Sequence, residues 1–344
     1  MSMHVLIRAN QLSRRFEKKA NYAERLARLL QGKPAPRIAS TVYAVDNVNL
    51  EIRRGEVMGL VGESGCGKST LGRMLAGVIA PSSGAIQVDD ALGDEGITHV
   101  TGGAQTLRLA HRLKTQMIFQ DPMSSLNPRK RVREIIGEAP LVHGMVKRRD
   151  LDEYVMSVMK RVGLNPDVRQ RYPHQFSGGQ RQRISIGRAL AVNPDFLICD
   201  ESIAALDVSI QAQIINLFMT LRRDLALTYL FISHDLGVVE HISDRVAIMY
   251  LGRIVETAST PDFFSKPLHP YSVALLGQVP RLSNRKRQFE SIQGEIPSPL
   301  APPKGCHFHP RCPRAMPRCS VERPELAMIE KNHWVACHLF MEAK

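Results

Sequence analysis

The chain has 344 residues, 44% of them apolar, with 46 Lys and Arg against 33 Asp and Glu and a formal net charge of +13. That length can hold one large domain and a smaller one around a sizeable core, and the composition is ordinary for a soluble globular protein. No apolar run approaches the roughly 18 residues of a membrane span, and Arg8 and Asn10 break the apolar opening of MSMHVLIRANQLSRRF, which excludes a signal-peptide pattern.

The expectation is therefore a cytosolic protein that meets a membrane only through a partner. The basic excess is uneven: residues 1–40 carry nine basic and two acidic side chains. This reads as a solvated basic segment beside a membrane, with a nucleic-acid surface as the alternative. Residues 17–40 look like an insertion made of one basic helix and a loop. From Val42 to Glu56, alternating apolar and polar residues closing on a Gly turn predict a strand pair. VMGLVG is a short buried strand, followed by a Gly-rich loop and a helix through about Ala80. Helical patterns recur between about Val132 and Gly163 and from Gly179 to Val192. A strand follows at Phe196–Asp200, a helix at about Ile210–Leu225, a strand at Tyr229–Ser233, and a final strand pair in DRVAIMYLGRIVETA. Strands alternating with helices imply an α/β core with a mainly parallel sheet. After about Thr260 the texture changes. Twelve of the 21 prolines lie between Pro261 and Pro324, so long helices and central strands are excluded there. The division expected is 1–260 and 261–344, the second part a separate appendage.

GESGCGKST contains Gly62, Glu63, Ser64, Gly65, Cys66, Gly67, Lys68, Ser69 and Thr70, and fits G-x-x-x-x-G-K-[ST] between a strand and a helix. The glycines let backbone N–H groups curl around a phosphate, and the helix N-terminus adds partial positive charge. Lys68 can reach β- and γ-phosphates and the Ser69 hydroxyl can ligate Mg²⁺. FLICDE ends a buried strand on Asp200, suited to holding Mg²⁺ through water, and on Glu201, suited to act as a general base. FSGGQRQRISIGRAL opens a helix on Ser177, Gly178, Gly179 and Gln180, a second anion-binding terminus.

With that turn included, the chain resembles the nucleotide-binding subunits of ABC transporters. The resemblance implies a P-loop NTPase fold: a RecA-like α/β core, an antiparallel β subdomain, a helical subdomain and a small Pro- and Cys-rich C-terminal domain. It makes Ser177 to Gln180 the signature motif, which closes over ATP on another subunit's P-loop. Gln120 in IFQDP matches the Q-loop, a further Mg²⁺ ligand beside Ser69 and Asp200. Asp207 in ALD matches the D-loop, and His234 in FISHD the switch histidine of the γ-phosphate. An aromatic that stacks on adenine is implied upstream, with Phe16 and Tyr43 as rivals. SLNPRKRV, RYPHQFSGGQRQRI, LDVSIQAQ and PLHPYSVALL narrow the resemblance to the ATPases of dipeptide and oligopeptide importers, closest to the second of their two unlike ATPases. One departure stands out. Ser202, Ile203 and Ala204 replace the family's Pro, Thr and Ser, which removes a D-loop hydroxyl and puts the rate and symmetry of hydrolysis in doubt.

Four of six cysteines, Cys306, Cys312, Cys319 and Cys337, fall within 32 residues. Disulfides are disfavoured in a reducing cytosol. Zinc prefers tighter pairs, although His307, His309, His333 and His338 are nearby. Four thiolates can hold a [4Fe–4S] cluster, the reading that the resemblance favours, and free thiols are the third possibility. A metal centre would brace a segment with too few apolar residues to fold on its own core. Cys66 and Cys199 read as packing residues. The function expected is an ATP- and Mg²⁺-dependent ATPase at the cytoplasmic face of the inner membrane, partnered by a paralogous ATPase, two permeases and a substrate-binding protein, with no nucleic acid. The alternatives are another cargo (nickel, glutathione, opines or antimicrobial peptides) or a soluble ABC ATPase acting on nucleic acid.

Overall fold

The structure is a computed structural model that describes residues 4–19, 38–89, 109–278 and 294–341. Strand β1 (Val5–Lys19) pairs antiparallel with β2 (Ile38–Arg53) from Val5↔Arg53 to Lys19↔Ile38. The last pair brings the two ends of the basic insertion together. Of the helix and loop expected over residues 17–40, residues 17–19 and 38–40 instead belong to β1 and β2, and the remainder lies outside the described residues. The stretch from Val42 to Arg53 is part of one strand rather than the pair its alternation suggested, because β1, 38 residues away at Gln11 and Asn49, supplies the partner. After a turn at Arg54–Gly55 the chain enters β3 (Val57–Val61), which belongs to the other sheet.

That second sheet carries the site. β3, β5 (Thr115–Ile118), β6 (Phe196–Asp200), β7 (Thr228–Ile232) and β8 (Arg245–Tyr250) run parallel in the order β8-β3-β7-β6-β5. β3, β6 and β7 are buried along their whole length, which is why they read as unbroken apolar runs. β4 (Ser83–Val88) completes the small antiparallel sheet on the free side of β1. Helix α1 (Lys68–Leu75) leaves the loop after β3 and stops short of the expected Ala80, because Gly77 at φ 69° is left-handed and ends the helix.

Beyond α2 (Leu109–Lys114) and α3 (Pro122–Ser125), α4 (Val132–Val142), α5 (Leu151–Arg161) and α6 (Gly178–Leu190) bury Ile136, Val155, Val158, Ile184 and Ile186 in one apolar cluster. α7 (Val208–Leu225) joins the same cluster through Ile214 and Phe218, and α8 (Leu236–Ile242) follows β7. Among the described residues no helix is long and apolar enough to cross a membrane.

The proline-rich segment is fused to this core. Its helices are short, α9 (Thr260–Ser265) and α10 (Pro270–Gly277). β9 (Arg253–Ser259) runs antiparallel to β8, and β11 (His333–Val335) covers its outer edge through Trp334↔Thr257 and Val335↔Glu256. β10 (Ala327–Glu330) finishes the sheet. Glu256, fully buried on β9, accepts from His333 Nε2 at 2.7 Å and from the amides of Leu268 and His269 at 2.8 and 2.9 Å. Burial opposes its charge, but the bonds from His333 and these amides outweigh that and keep the carboxyl below its usual range. Phe308 packs on Tyr250 and Tyr271, with ring centroids 5.3 Å apart in both pairs.

Candidate nucleotide site

The candidate residues gather at the C-terminal ends of the parallel strands, where open α/β sheets bind ligands. The loop Gly62–Gly67 joins β3 to α1. Gly67 sits at φ 110°, and a Cβ there would lie 2.1 Å from the Ala44 carbonyl oxygen of β2, so only glycine fits. Lys68 is 4% exposed, and its Nζ donates to the carbonyls of Gly62 at 2.7 Å and Glu63 at 3.0 Å. An ammonium folded onto its own loop in this way can exchange those carbonyls for phosphate oxygens. Cys66 Sγ lies 3.8 Å from Lys68 Nζ, and burial pushes this thiol up, as it does for Cys199. Both are packed side chains.

Asp200 ends β6 beside β7 and is 3% exposed, and the Ser69 hydroxyl donates to its Oδ1 at 2.7 Å. Burial raises the Asp200 pKa, while Ser69, Arg73 and Lys68 pull it back. A buried carboxylate against a hydroxyl is a hard-oxygen pair that gains from a small divalent cation, so the donor set fits Mg²⁺. Glu201 follows in the left-handed region at φ 46°, uncommon for a non-glycine residue, and its amide is fixed on the Ile232 carbonyl at 3.0 Å. Its carboxylate accepts from Gln120 Nε2 at 2.9 Å and faces His234 Nδ1 at 3.5 Å. Three side chains from the ends of β5, β6 and β7 thus converge on one point.

Ser177 caps α6. Its Oγ accepts from the Gln180 amide at 3.4 Å, and Gln180 Oε1 accepts from the Ser177 amide at 3.1 Å. The turn closes on itself, and among the described residues none of its hydrogen bonds reaches the P-loop. A Cβ on Gly179 would meet Ile210 Cγ2 at 2.6 Å, whereas one on Gly178 would meet only Leu206 Cδ2 at 3.7 Å. The signature turn therefore packs on the segment that carries Asp207, the N-cap of α7. In the departure, Ile203 is buried in the apolar cluster and Ala204 is exposed. Sequence reading missed Gln211, whose Nε2 donates to the carbonyls of Ile203 and Leu206 at 3.1 and 3.0 Å and braces this loop. A glutamine on an exposed helix start gives no signal of that role.

Phe16 pairs with Val42 and Tyr43 with Arg15, so the two aromatics point to opposite faces of β1 and β2 and one adenine cannot use both. Arg14 lies 4.7 Å over the Phe16 ring and Arg15 lies 5.2 Å over the Tyr43 ring. The four C-terminal thiols are neighbours: Cys337 is pushed up to about 11 by burial and by the charges of Cys306, Cys312 and Cys319. Among the described residues, however, no three His, Cys, Asp or Glu side chains stand as a group that could hold one metal ion. The zinc expectation therefore has no preformed site here, and neither metal centre is supported by ligand geometry.

Comparison with known proteins agrees with this geometry. The family described as "ABC transporter" matches residues 45–204, and "Oligopeptide/dipeptide transporter, C-terminal region" matches residues 255–319. The oligopeptide transport ATP-binding protein AppF of Bacillus subtilis is 50% identical over 302 residues, 87% of this chain and 90% of that protein. The dipeptide transport ATP-binding protein DppF of Haemophilus influenzae is 46% identical, over 86% of this chain and 89% of its own length. Among solved structures, cbiO1 of Clostridium perfringens, part of the ABC transporter complex cbiONQ, superposes with a TM-score of 0.59 at 25% identity, covering 76% of this chain and 92% of that one. The chain is an ATP-hydrolysing ABC transporter subunit and belongs to the family of oligopeptide and dipeptide transport ATP-binding proteins.

Proposed function

We propose that this chain powers the uptake of dipeptides and oligopeptides, binding ATP as one half of a heterodimer with a paralogous ATPase at the cytoplasmic face of the membrane. The observation that carries the ATPase part is the convergence of Gln120 and His234 on the Glu201 carboxylate beside the Ser69–Asp200 pair. The cargo rests on the names of the relatives and on the match of the C-terminal region.

In this reading the amides of the Gly62–Thr70 loop other than that of Glu63, together with the Lys68 ammonium, hold the β- and γ-phosphates, and Phe16, 37% exposed, stacks on adenine. Ser69, Asp200 and Gln120 would hold Mg²⁺, which when bound neutralises phosphate charge. Glu201 takes a proton from the attacking water, and its strained backbone holds the carboxylate at that place. His234 donates to the γ-phosphate. Because the capping box between Ser177 and Gln180 takes up those two amides and makes no bond to the P-loop, the Gly178 and Gly179 amides and the helix terminus are offered to nucleotide on the partner ATPase. Permease and substrate-binding subunits complete the assembly.

We further propose that Cys306, Cys312, Cys319 and Cys337 carry a [4Fe–4S] cluster. The reading rests on the sequence, in which four cysteines are spaced more widely than a single ion requires within a segment short of apolar residues. Iron and sulfide analysis of protein purified without oxygen tests it. Four of each per chain is expected, and iron-free protein sinks the idea. Transport is tested by reconstituting the chain with its permeases and second ATPase in vesicles. ATP-dependent accumulation of a labelled tripeptide is expected. ATPase activity stimulated by DNA and indifferent to peptide would overturn the assignment.

A further inference from the structure

The proline-rich segment, set apart by composition, reaches back into the phosphate loop. Arg311, one residue before Cys312, makes a bidentate pair with Glu63: Nη1 to Oε2 at 2.7 Å and Nη2 to Oε1 at 3.0 Å. The two side chains are only 5% and 21% exposed. The Glu63 backbone is held as well. Its amide donates to Tyr271 Oη at 2.9 Å, and its carbonyl accepts from Lys68 Nζ at 3.0 Å. Tyr271 belongs to α10, and Tyr271, Tyr250 and Phe308 pack edge-to-face or tilted beneath the pair. Phe308 lies three residues before Arg311, so its burial fixes where the guanidinium sits. Arg311 Nη1 also donates to Tyr250 Oη at 3.4 Å. All three polar handles of Glu63 are thus occupied, two of them by residues beyond 260.

We infer that Arg311 is a positioning residue for ATP: it neutralises and orients Glu63, and through the Glu63 backbone it sets the P-loop and Lys68 for the phosphates. The physical need is clear. A carboxylate in the phosphate-binding loop repels a triphosphate unless a fixed cation cancels it, and a bidentate guanidinium does this while locking orientation. The inference rests on the P-loop reading of Gly62–Thr70 and is independent of the cargo.

The test measures binding of ATP, ADP and AMP to the purified full-length chain by calorimetry, alongside thermal unfolding. Wild type, Arg311→Gln, Glu63→Gln, the double variant and Arg311→Lys are compared. Arg311→Gln is expected to weaken ATP about tenfold, the size of one uncompensated charge near the phosphates at partial exposure, with ADP affected less and AMP unaffected. Adding Glu63→Gln should restore most of that loss, because the repulsive charge is gone. Arg311→Lys keeps the charge without the fork and should fall between. If Arg311 only anchors its own segment, both single variants lower Tm and leave ATP affinity below Tm unchanged, and the inference is overturned. A double variant as weak as Arg311→Gln also overturns it. Should Arg311→Gln fail to fold, Arg311→Lys with wild-type ATP affinity overturns it alone. Failure of the wild-type chain to bind ATP would instead defeat the P-loop reading.

Discussion

The two signature glycines differ in what an added methyl group would meet, so a pair of alanine substitutions separates packing from function. At Gly179 the new Cβ would stand 2.6 Å from Ile210 Cγ2 on the first turn of α7. Relief needs a shift of about 1 Å in one of two packed helices, and overpacking of this kind costs about 1–3 kcal/mol. Better helix propensity returns up to about 1 kcal/mol. Gly179→Ala should therefore be destabilised by up to about 3 kcal/mol net, or up to about 12 °C in Tm for a domain of this size. At Gly178 the nearest atom is Leu206 Cδ2 at 3.7 Å, an ordinary contact, so Tm should stay level or rise. Its Cβ nevertheless stands at the helix terminus offered to the partner's nucleotide, and ATP turnover of the assembled transporter should drop at least about tenfold, as loss of one transition-state contact does. Calorimetric unfolding and a phosphate-release assay read the two effects separately. Equal Tm values for both variants would refute the packing reasoning, and full turnover by Gly178→Ala would refute the functional one.

Ser69→Ala removes the donor on buried Asp200 and should lower nucleotide-free stability by about 1–3 kcal/mol in urea titration, the cost of an unmet buried acceptor. Gly67→Ala forces a left-handed position and a 2.1 Å contact with the Ala44 carbonyl, and should abolish ATP binding in equilibrium dialysis. His269 is held neutral in the fold, burial lowering its pKa from 6.5 to about 4 although nearby Glu256 works the other way. Its contribution is therefore complete above about pH 6.5 and is lost as pH falls toward 4, by up to about 3 kcal/mol. His269→Asn, which can still cap α10, should flatten that acid limb in urea midpoints measured from pH 7 to pH 4.5.

Much of the core was legible because its signals are local. VMGLV and FLICD are buried on both faces and read as apolar runs, and the P-loop, Asp200 and Glu201 sit at the ends of those runs. What escaped was decided by partners distant in sequence. The alternation of β2 shows a half-buried strand but not that β1 is its neighbour. The end of α1 turned on Gly77, one small residue inside a continuing apolar pattern. The tie between Arg311 and Glu63 joins residues 248 apart, and nothing local to either residue signals it. The aromatic rivalry was settled only as far as register allows, since Phe16 and Tyr43 occupy adjacent pairs on opposite faces.

The most direct measurement compares MgATP hydrolysis by the transporter assembled around this chain with that of the same assembly carrying Glu201→Gln. Gln120 and His234 both address the Glu201 carboxylate, so an amide in its place keeps the shape and loses the base. Turnover at this chain's site should fall about 10²–10⁴-fold with ATP affinity unchanged. Hydrolysis at that site at the wild-type rate would contradict the assignment of Glu201 as the base, and with it the account of how this site works.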